Sequence, residues 1–233
     1  MKFIKCTLVL LFFLSLQSCK SDKSKAEIDE NSNNLIETKT ITVKPINHGS
    51  LVLESKEYTF YIDPVGGSEK FAGQKTADFV LITDIHGDHL NEKTLEVLEL
   101  SNTTLITPKA VVDKLPKDIA KTLIILNNGD DFKIDTIKIE AIPLYNIREE
   151  ALKFHTKGRG NGYVLNIDDE RIYISGDTED IPEMRQLKDI DVAFICMNLP
   201  YTMTEKSAAS AVLDFKPKKF IHITIEVLKV LVM

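Results

Sequence analysis

The chain has 233 residues, 43% hydrophobic and 27% charged, proportions that suit one globular domain with a sizeable core plus extensions. Its formal net charge of -6 and the lack of any basic stripe argue against a nucleic-acid-binding surface built on lysine and arginine. With three cysteines in all, extensive disulfide stapling is excluded as well.

The N-terminus reads as lying outside the fold. Lys2 and Lys5 precede the apolar run Thr7 to Leu16, a positive region followed by a hydrophobic core too short to cross a bilayer as a helix. That is the layout of a secretory signal. Residues 20 to about 40 are rich in Lys, Ser, Asp, Glu and Asn, a composition that cannot bury a core and reads as a flexible tether. From Ile41 strands and helices alternate. Thr40 to Pro45, Ser50 to Glu54 and Tyr58 to Ile62 are predicted as successive antiparallel strands. Ala77 to Thr83 is an apolar run with the length of a buried strand, and Gly87 marks the turn at its end. Glu92 to Leu100 spaces Leu95, Leu98 and Leu100 as a helix does, and Lys109 to Leu115 is a short helix stopped by Pro116. Leu105-Ile106, Thr122 to Leu126, Asp131 to Ile134 and Thr136 to Ile142 are further strands, with Asn127-Asn128-Gly129-Asp130 as a turn. Gly162 to Ile167 and Arg171 to Ser175 flank Asp168-Asp169-Glu170 as a hairpin. Val192 to Met197 is an apolar strand that would bury Cys196 as a core thiol, and Ser207 to Phe215 is an alanine-rich helix. Such a pattern is compatible with two sheets covered by helices.

Chemistry concentrates in Asp84-Ile85-His86-Gly87-Asp88-His89. Four metal-competent side chains fall within six residues at the end of the buried strand. A strand that stops in a tight loop aims Asp84 and His86 to one side, with Asp88 and His89 following. Carboxylates and imidazoles packed this densely gain little for a fold but suit a divalent cation. His48, in Ile46-Asn47-His48-Gly49-Ser50, admits two readings: it orients a ligand or lines the cleft, or it bonds the backbone at a turn. Lys157 and Arg159, on a glycine-rich loop beside His155, either meet an anionic substrate or are solvated loop charges.

The hexapeptide resembles the His-x-His-x-Asp-His signature of the metallo-β-lactamase superfamily, with Asp84 in place of the first histidine. In the expected order, Phe154-His155-Thr156-Lys157-Gly158 resembles its His-Thr-x-Gly segment, and Arg171 to Thr178 its strand ending in Gly-Asp-Thr. Tyr58 to Pro64 resembles the strand ending in Asp-Pro that precedes the first motif. Gly158-Arg159-Gly160-Asn161-Gly162-Tyr163, Ile181-Pro182-Glu183-Met184 and Asn198-Leu199-Pro200-Tyr201 are similar to the ascorbate-phosphate-lactonase-like branch of these hydrolases. The resemblance implies an α/β fold, an αββα sandwich, and a hydrolase holding two divalent metal ions, zinc or manganese, with iron admissible. Asp84, His86 and His155 would hold one ion, Asp88 and His89 the other, and Asp177 would bridge them. Water held by two divalent ions becomes a nucleophile near neutral pH, for attack on a small-molecule lactone, ester or phosphoester. Asp88 and Asp177 are the candidate catalytic residues, as metal-bound carboxylates able to protonate the leaving group. His48, Arg159 and Tyr201 are candidate substrate contacts. Carboxylate in place of imidazole at Asp84 adds negative charge and a harder donor, which shifts preference from zinc towards manganese, iron or magnesium.

Leu16-Gln17-Ser18-Cys19 resembles a bacterial lipoprotein box. That implies a signal peptide over residues 1–18, acylation of Cys19, a lipid-anchored tether over 19–40 and a hydrolase domain over 41–233. The partners are then a small-molecule substrate and a lipid bilayer, with no nucleic acid, and the location is the bacterial cell envelope, on the periplasmic side or as an outer-membrane lipoprotein. At the other end, the branch follows a Lys-Pro-Lys segment with a strand close to Tyr-Pro-Tyr-His-Tyr-Arg-Gly, whose histidine completes the second metal site. Here Lys216-Pro217-Lys218-Lys219 leads instead into Phe220-Ile221-His222-Ile223-Thr224-Ile225-Glu226-Val227. Synonymous codons shifted by one base return the family strand, which is compatible with a frameshift near Lys219 or Phe220. Residues 220–233 would then be an out-of-frame tail, and the fold would miss its normal C-terminal strand or helix. Thr224 would stand in the slot of the histidine, with His222 about 6–7 Å away on the same strand face. The alternative to an active hydrolase is a frame-damaged remnant, non-catalytic or holding a single metal.

Overall fold

Val, Ile, Leu and Phe dominate short segments separated by turns, and these segments build two sheets of seven strands each. The structure is a computed structural model and describes residues 35–98, 100–223 and 229–232. The first sheet runs in chain order through β1 (Ile36–Glu37), β2 (Thr42–Asn47), β3 (Ser50–Glu54), β4 (Thr59–Ile62), β5 (Phe79–Leu81), β6 (Thr104–Thr107) and β7 (Thr122–Ile125). It is antiparallel from β1 to β4 and parallel from β4 to β7. The second contains β8 (Asp131–Ile134), β9 (Ile137–Leu144), β10 (Gly160–Ile167), β11 (Glu170–Ile174), β12 (Val192–Cys196), β13 (Lys219–Ile223) and β14 (Lys229–Val232). Its β11, β12 and β13 are parallel and its other pairs antiparallel.

Strand alternation sorts the apolar residues into layers. Leu51, Leu53, Phe60, Ile62 and Leu81 of the first sheet meet Ile139, Tyr163, Leu165, Ile174 and Phe194 of the second in one core. The intervening residues face outward. Val52, Val80 and Leu105 receive Leu95 of helix α1 (Glu92–Val97) and Val111 of helix α2 (Lys109–Val112). Val164, Tyr173, Ala193 and Ile195 receive Met184 of α3 (Pro182–Arg185) and Ala208, Ala211, Val212 and Phe215 of α4 (Glu205–Phe215). Helices thus cover both outer faces of a two-sheet sandwich, as the resemblance implies. Burying a leucine such as Leu95 completely contributes about 2 kcal/mol, so these helices are held by tertiary packing more than by their own length.

Several expected boundaries move. Asn91 caps α1 by accepting the Thr94 amide at 3.0 Å, but the helix ends at Val97, and Leu100 anchors a separate 3-10 turn. The fold also begins before Ile41. The buried Glu170 carboxylate, in the tight turn from β10 to β11, accepts the Thr38 and Thr40 hydroxyls at 2.6 and 2.7 Å and the Lys39 and Thr40 amides at 3.0 and 2.9 Å. That clamp ties residues 38–40 to the second sheet, so they are no tether. The turn has positive φ at both Asp168 and Asp169 (49° and 61°), the conformation a two-residue hairpin requires. At the other end, the residues that replace the family segment still form a strand. β13 pairs in parallel with β12 and antiparallel with β14, because Ile221, fully buried, fits the inter-sheet core whatever its origin. The signal-like segment, Cys19, and Thr224 to Val227 lie outside the described residues.

Candidate metal centre

The two sheets meet most closely where β5 gives way to the Asp84–His89 loop. The Asn161 amide of β10 donates to the Thr83 carbonyl at 2.9 Å, so the chain leaves the first sheet pinned to the second. Gly160 makes this approach possible. A Cβ there would sit 2.9 Å from the Thr83 carbonyl oxygen and 3.2 Å from Asp84 Oδ1, closer than packing permits. Beyond Asp84, the His89 and Leu90 amides both donate to the His86 carbonyl (3.0 and 2.7 Å), a tight turn that swings Asp88 and His89 back over the strand end. Gly176, at φ 58°, bends the chain after β11 so that Asp177 faces them.

The resulting distances fall into two groups. Asp84 Oδ2 lies 2.9 Å from His86 Nδ1 and 3.8 Å from His155 Nε2. Asp88 Oδ2 lies 3.1 Å from His48 Nε2 and 4.0 Å from His89 Nε2. A single oxygen, Asp177 Oδ2, stands between them, 3.7 Å from His155 Nε2 and 3.4 Å from His89 Nε2. Two donors on one tetrahedral ion, each about 2.1 Å from it, are about 3.4 Å apart. Both groups therefore have the spacing of a coordination shell, and the candidate sets Asp84, His86, His155 and His48, Asp88, His89 each converge within 4.8 Å.

Protonation follows from what holds each ring. His155 Nδ1 lies 3.2 Å from the Tyr201 carbonyl oxygen, which can only accept, so the proton sits on Nδ1 and Nε2 presents its lone pair. Burial pushes this imidazole below its ordinary pKa despite the Asp177 and Asp84 carboxylates, keeping the ring neutral. His89 Nδ1 donates to Asp63 Oδ2 at 2.7 Å, which turns its Nε2 towards Asp177. Burial alone would lower the His89 pKa, but Asp177 and Asp63 on its two sides outweigh it and hold the pKa well above the usual value. Both His89 Nε2 and His155 Nε2 are buried with no hydrogen-bond partner, as expected of nitrogens that face a metal. The carboxylates are held ionised: Asp88 by His48 against burial, Asp177 by His89 against its nearly complete burial.

All six residues assigned to metal (Asp84, His86, Asp88, His89, His155 and Asp177) come together, and His48 joins them. Tyr201 lines, with His86, Asp88, Phe154, His155, Asp177 and Asn198, a cavity of about 330 Å³ that opens over the two groups. Arg159 is not a solvated charge: its Nε and Nη2 donate to Asp84 Oδ1 and Oδ2 at 3.0 and 2.8 Å, and Nη2 also to the Phe154 carbonyl, which accounts for the guanidinium without a substrate. Burial would raise the Asp84 pKa, but hydrogen bonds from His86 and Arg159 depress it strongly. The guanidinium neutralises the charge that Asp84 adds where the motif has imidazole, so the argument for harder metals keeps its oxygen donor but loses its extra charge. Lys157 pairs with Glu183 on the surface. His222 lies with Nε2 3.4 Å from the Met197 carbonyl and belongs to neither candidate group. The residue that sequence reasoning missed is Asp63. Besides His89, it accepts the Thr83 amide and hydroxyl at 2.7 and 2.6 Å. Its signal was the Asp-Pro that ends β4, noted only as a strand end.

Comparison with known proteins fits this geometry. A family model described as a β-lactamase superfamily domain matches residues 42–224. The chain belongs to the metallo-β-lactamase superfamily. Among its relatives, a UPF0173 metal-dependent hydrolase of Thermococcus kodakarensis is 26% identical over 189 residues, covering 78% of this chain and 83% of that protein. A crystal structure from Parabacteroides distasonis, named for metal-dependent hydrolysis, is 41% identical with a TM-score of 0.73, covering 82% of this chain and 86% of that one. A metallo hydrolase of Ignicoccus hospitalis shares the fold, with a TM-score of 0.66 at 22% identity over 79% of this chain and 82% of its own. The protein is accordingly a metal-dependent hydrolase of the metallo-β-lactamase fold.

Proposed function

We propose that the centre takes two divalent ions, zinc or manganese, with Asp177 bridging them, and cleaves a lactone, ester or phosphoester in a small molecule. The observation that carries this reading is the convergence of two buried nitrogens, His89 Nε2 and His155 Nε2, on one oxygen of Asp177, neither making a well-formed hydrogen bond among the described residues. Charge supports it too. Among the described residues, Asp84 pairs with the permanent cation Arg159, whereas Asp63, Asp88 and Asp177 pair only with histidines, and two divalent ions offset the excess of carboxylate. When bound, such ions make water acidic enough to supply a nucleophile near neutral pH and polarise the bond under attack. The protein residues do the rest. Asp63 and the Tyr201 carbonyl fix the His89 and His155 tautomers, and Arg159 holds Asp84. The half-exposed Asp88, anchored by His48, stands at the cavity wall where it can move a proton to the leaving group. Phe154 and Tyr201, ring centroids 4.9 Å apart, form an apolar flank for the substrate. We further propose envelope anchoring through an acylated Cys19; mass spectrometry of the mature N-terminus tests it, and an unmodified Cys19 refutes it.

The test is metal content of protein purified without chelator, together with turnover of a panel of lactones, carboxylic esters and phosphodiesters. About two equivalents, and hydrolysis abolished by Asp177→Asn, are expected. Protein that binds no divalent ion, or hydrolysis indifferent to Asp177, overturns the reading.

A further inference from the structure

We propose that His48 is a direct ligand of the second ion, supplied from the N-terminal sheet in place of any donor from the C-terminal strand. The inference rests on the metal centre proposed above and adds to it the source of a missing ligand. On one side of that site, no residue of β13 belongs to either candidate metal group among the described residues. A narrow cavity of about 20 Å³ beside His89 and Asp177 is closed there by Ile223, with Cys196 and Asn198 next to it, and His222 faces the Met197 carbonyl. On the opposite side, His48 Nε2 lies 3.1 Å from Asp88 Oδ2. The donor atoms of His48, Asp88 and His89 all lie within 4.8 Å of one another. His89 Nε2, buried and with no well-formed hydrogen bond among the described residues, is an independent sign that something else belongs in this space. With Asp177 Oδ2 at 3.4 Å from it, the set becomes two imidazoles and two carboxylates, a complete shell for a four-coordinate ion.

The backbone presents His48 for this use. It occupies the turn from β2 to β3 at φ 50°, a left-handed conformation that costs a histidine energy and clusters at functional sites. The Asn47 and Ser50 pairing, with a register shift after Pro45, sets that geometry, and the ring meets His89 edge-on with centroids 5.9 Å apart. A histidine needed only to cap a turn would bond the backbone. This one is directed at Asp88.

The experiment titrates the full-length, metal-free protein with cobalt(II), read by calorimetry and by visible absorption. Wild type is expected to bind two ions. His48→Ala should weaken one of them by about 100-fold and change its absorption through loss of a nitrogen donor, leaving the other untouched; His155→Ala should do the reverse. His48→Gln separates ligation from hydrogen bonding, because glutamine can still donate to Asp88. If His48→Gln binds like wild type, with an unchanged spectrum, His48 is a hydrogen-bonding neighbour and the proposal falls. Should wild type bind one ion only, sensitivity of that ion to His48 supports the proposal, and sensitivity to His155 alone overturns it. Wild type that binds none refutes the metal centre itself, a different result from a His48 variant that keeps both ions.

Discussion

Removing Arg159 should cost the fold more than any surface charge could. Asp84 is fully buried, and the Arg159 side chain is 18% exposed, so the guanidinium is the main group neutralising that carboxylate when no metal is bound. Arg159→Gln leaves the carboxylate buried with His86, 2.9 Å away, as its remaining close polar partner. Breaking a buried pair from one side costs about 3–5 kcal/mol. The retained His86 contact and the partly exposed guanidinium place this case near about 3 kcal/mol. For a domain of this size that is a fall in Tm of about 6–12 °C, measurable by thermal or urea denaturation in chelator. Asp84→Asn combined with Arg159→Gln should recover most of the loss, since two neutral side chains replace the pair. The sign of the pH dependence follows from the Asp84 pKa, which is lowered in the folded protein. The stabilisation is complete above the unfolded value of about 3.9 and disappears as pH falls through the folded one. Wild type and variant should therefore differ fully at pH 7 and converge in strong acid. A cost under about 1 kcal/mol, the range of exposed ion pairs, or a double variant no better than the single one, would refute the argument.

Asp63→Asn should lower affinity at the His89 site by about 10- to 100-fold, measured by competition with a chromophoric chelator, because the amide no longer fixes the ring through Nδ1. Glu170→Gln should free residues 38–40, costing about 1.5–3 kcal/mol and removing their protection from hydrogen exchange. Burial raises the Glu170 pKa, but bonds from Thr38, Thr40 and the Lys39 and Thr40 amides lower it below the ordinary value. In wild type the clamp is therefore intact above about pH 4.3 and lost as pH falls through the depressed folded pKa. Cys196 is buried, and burial first, then Asp177, pushes its thiol up to about 12. A thiol reagent should leave it unmodified until the protein unfolds, as mapped by mass spectrometry.

The candidate ligands were legible in the sequence because metal chemistry writes itself locally: Asp84, His86, Asp88 and His89 fall in one loop, and Asp177 follows Gly176 just past the end of β11. The strand series was legible for a similar reason, since alternation along Ser50–Glu54 or Gly160–Ile167 is a short-range property. What holds the ligands was not. Arg159 reaches Asp84 across 75 positions, and Thr38 reaches Glu170 across 132. No local pattern marks either contact, so Arg159 read as a loop charge and residues 38–40 as tether. The helix over Glu92 was drawn too long because leucine spacing continues to Leu100, whereas Leu100 is buried from a separate turn. At the C-terminus, the departure from the family strand was legible as side-chain identity. Its place in the core was not, because the burial of Ile221 depends on β12 and on the facing sheet.

Four of the groups at the centre, His89, Asp88, Asp84 and His155, rest on partners from elsewhere in the chain. Asp63 at the end of β4 holds His89, the turn after β2 offers His48 to Asp88, and the loop before β10 sends Arg159 to Asp84. The Tyr201 carbonyl, beyond β12, takes His155. First-sheet and second-sheet groups therefore share one focus, and sliding the sheets by about an ångström would open the spacing of the candidate ligands. The packing that prevents sliding is the inter-sheet core of Leu51, Leu81, Tyr163 and Phe194. Tyr163 also donates its hydroxyl to the Ile82 carbonyl at 2.8 Å, only two residues from Asp84. Core and centre are thus one mechanical unit, and an ion that binds only the assembled centre stabilises the whole sandwich in proportion to the logarithm of its concentration over Kd.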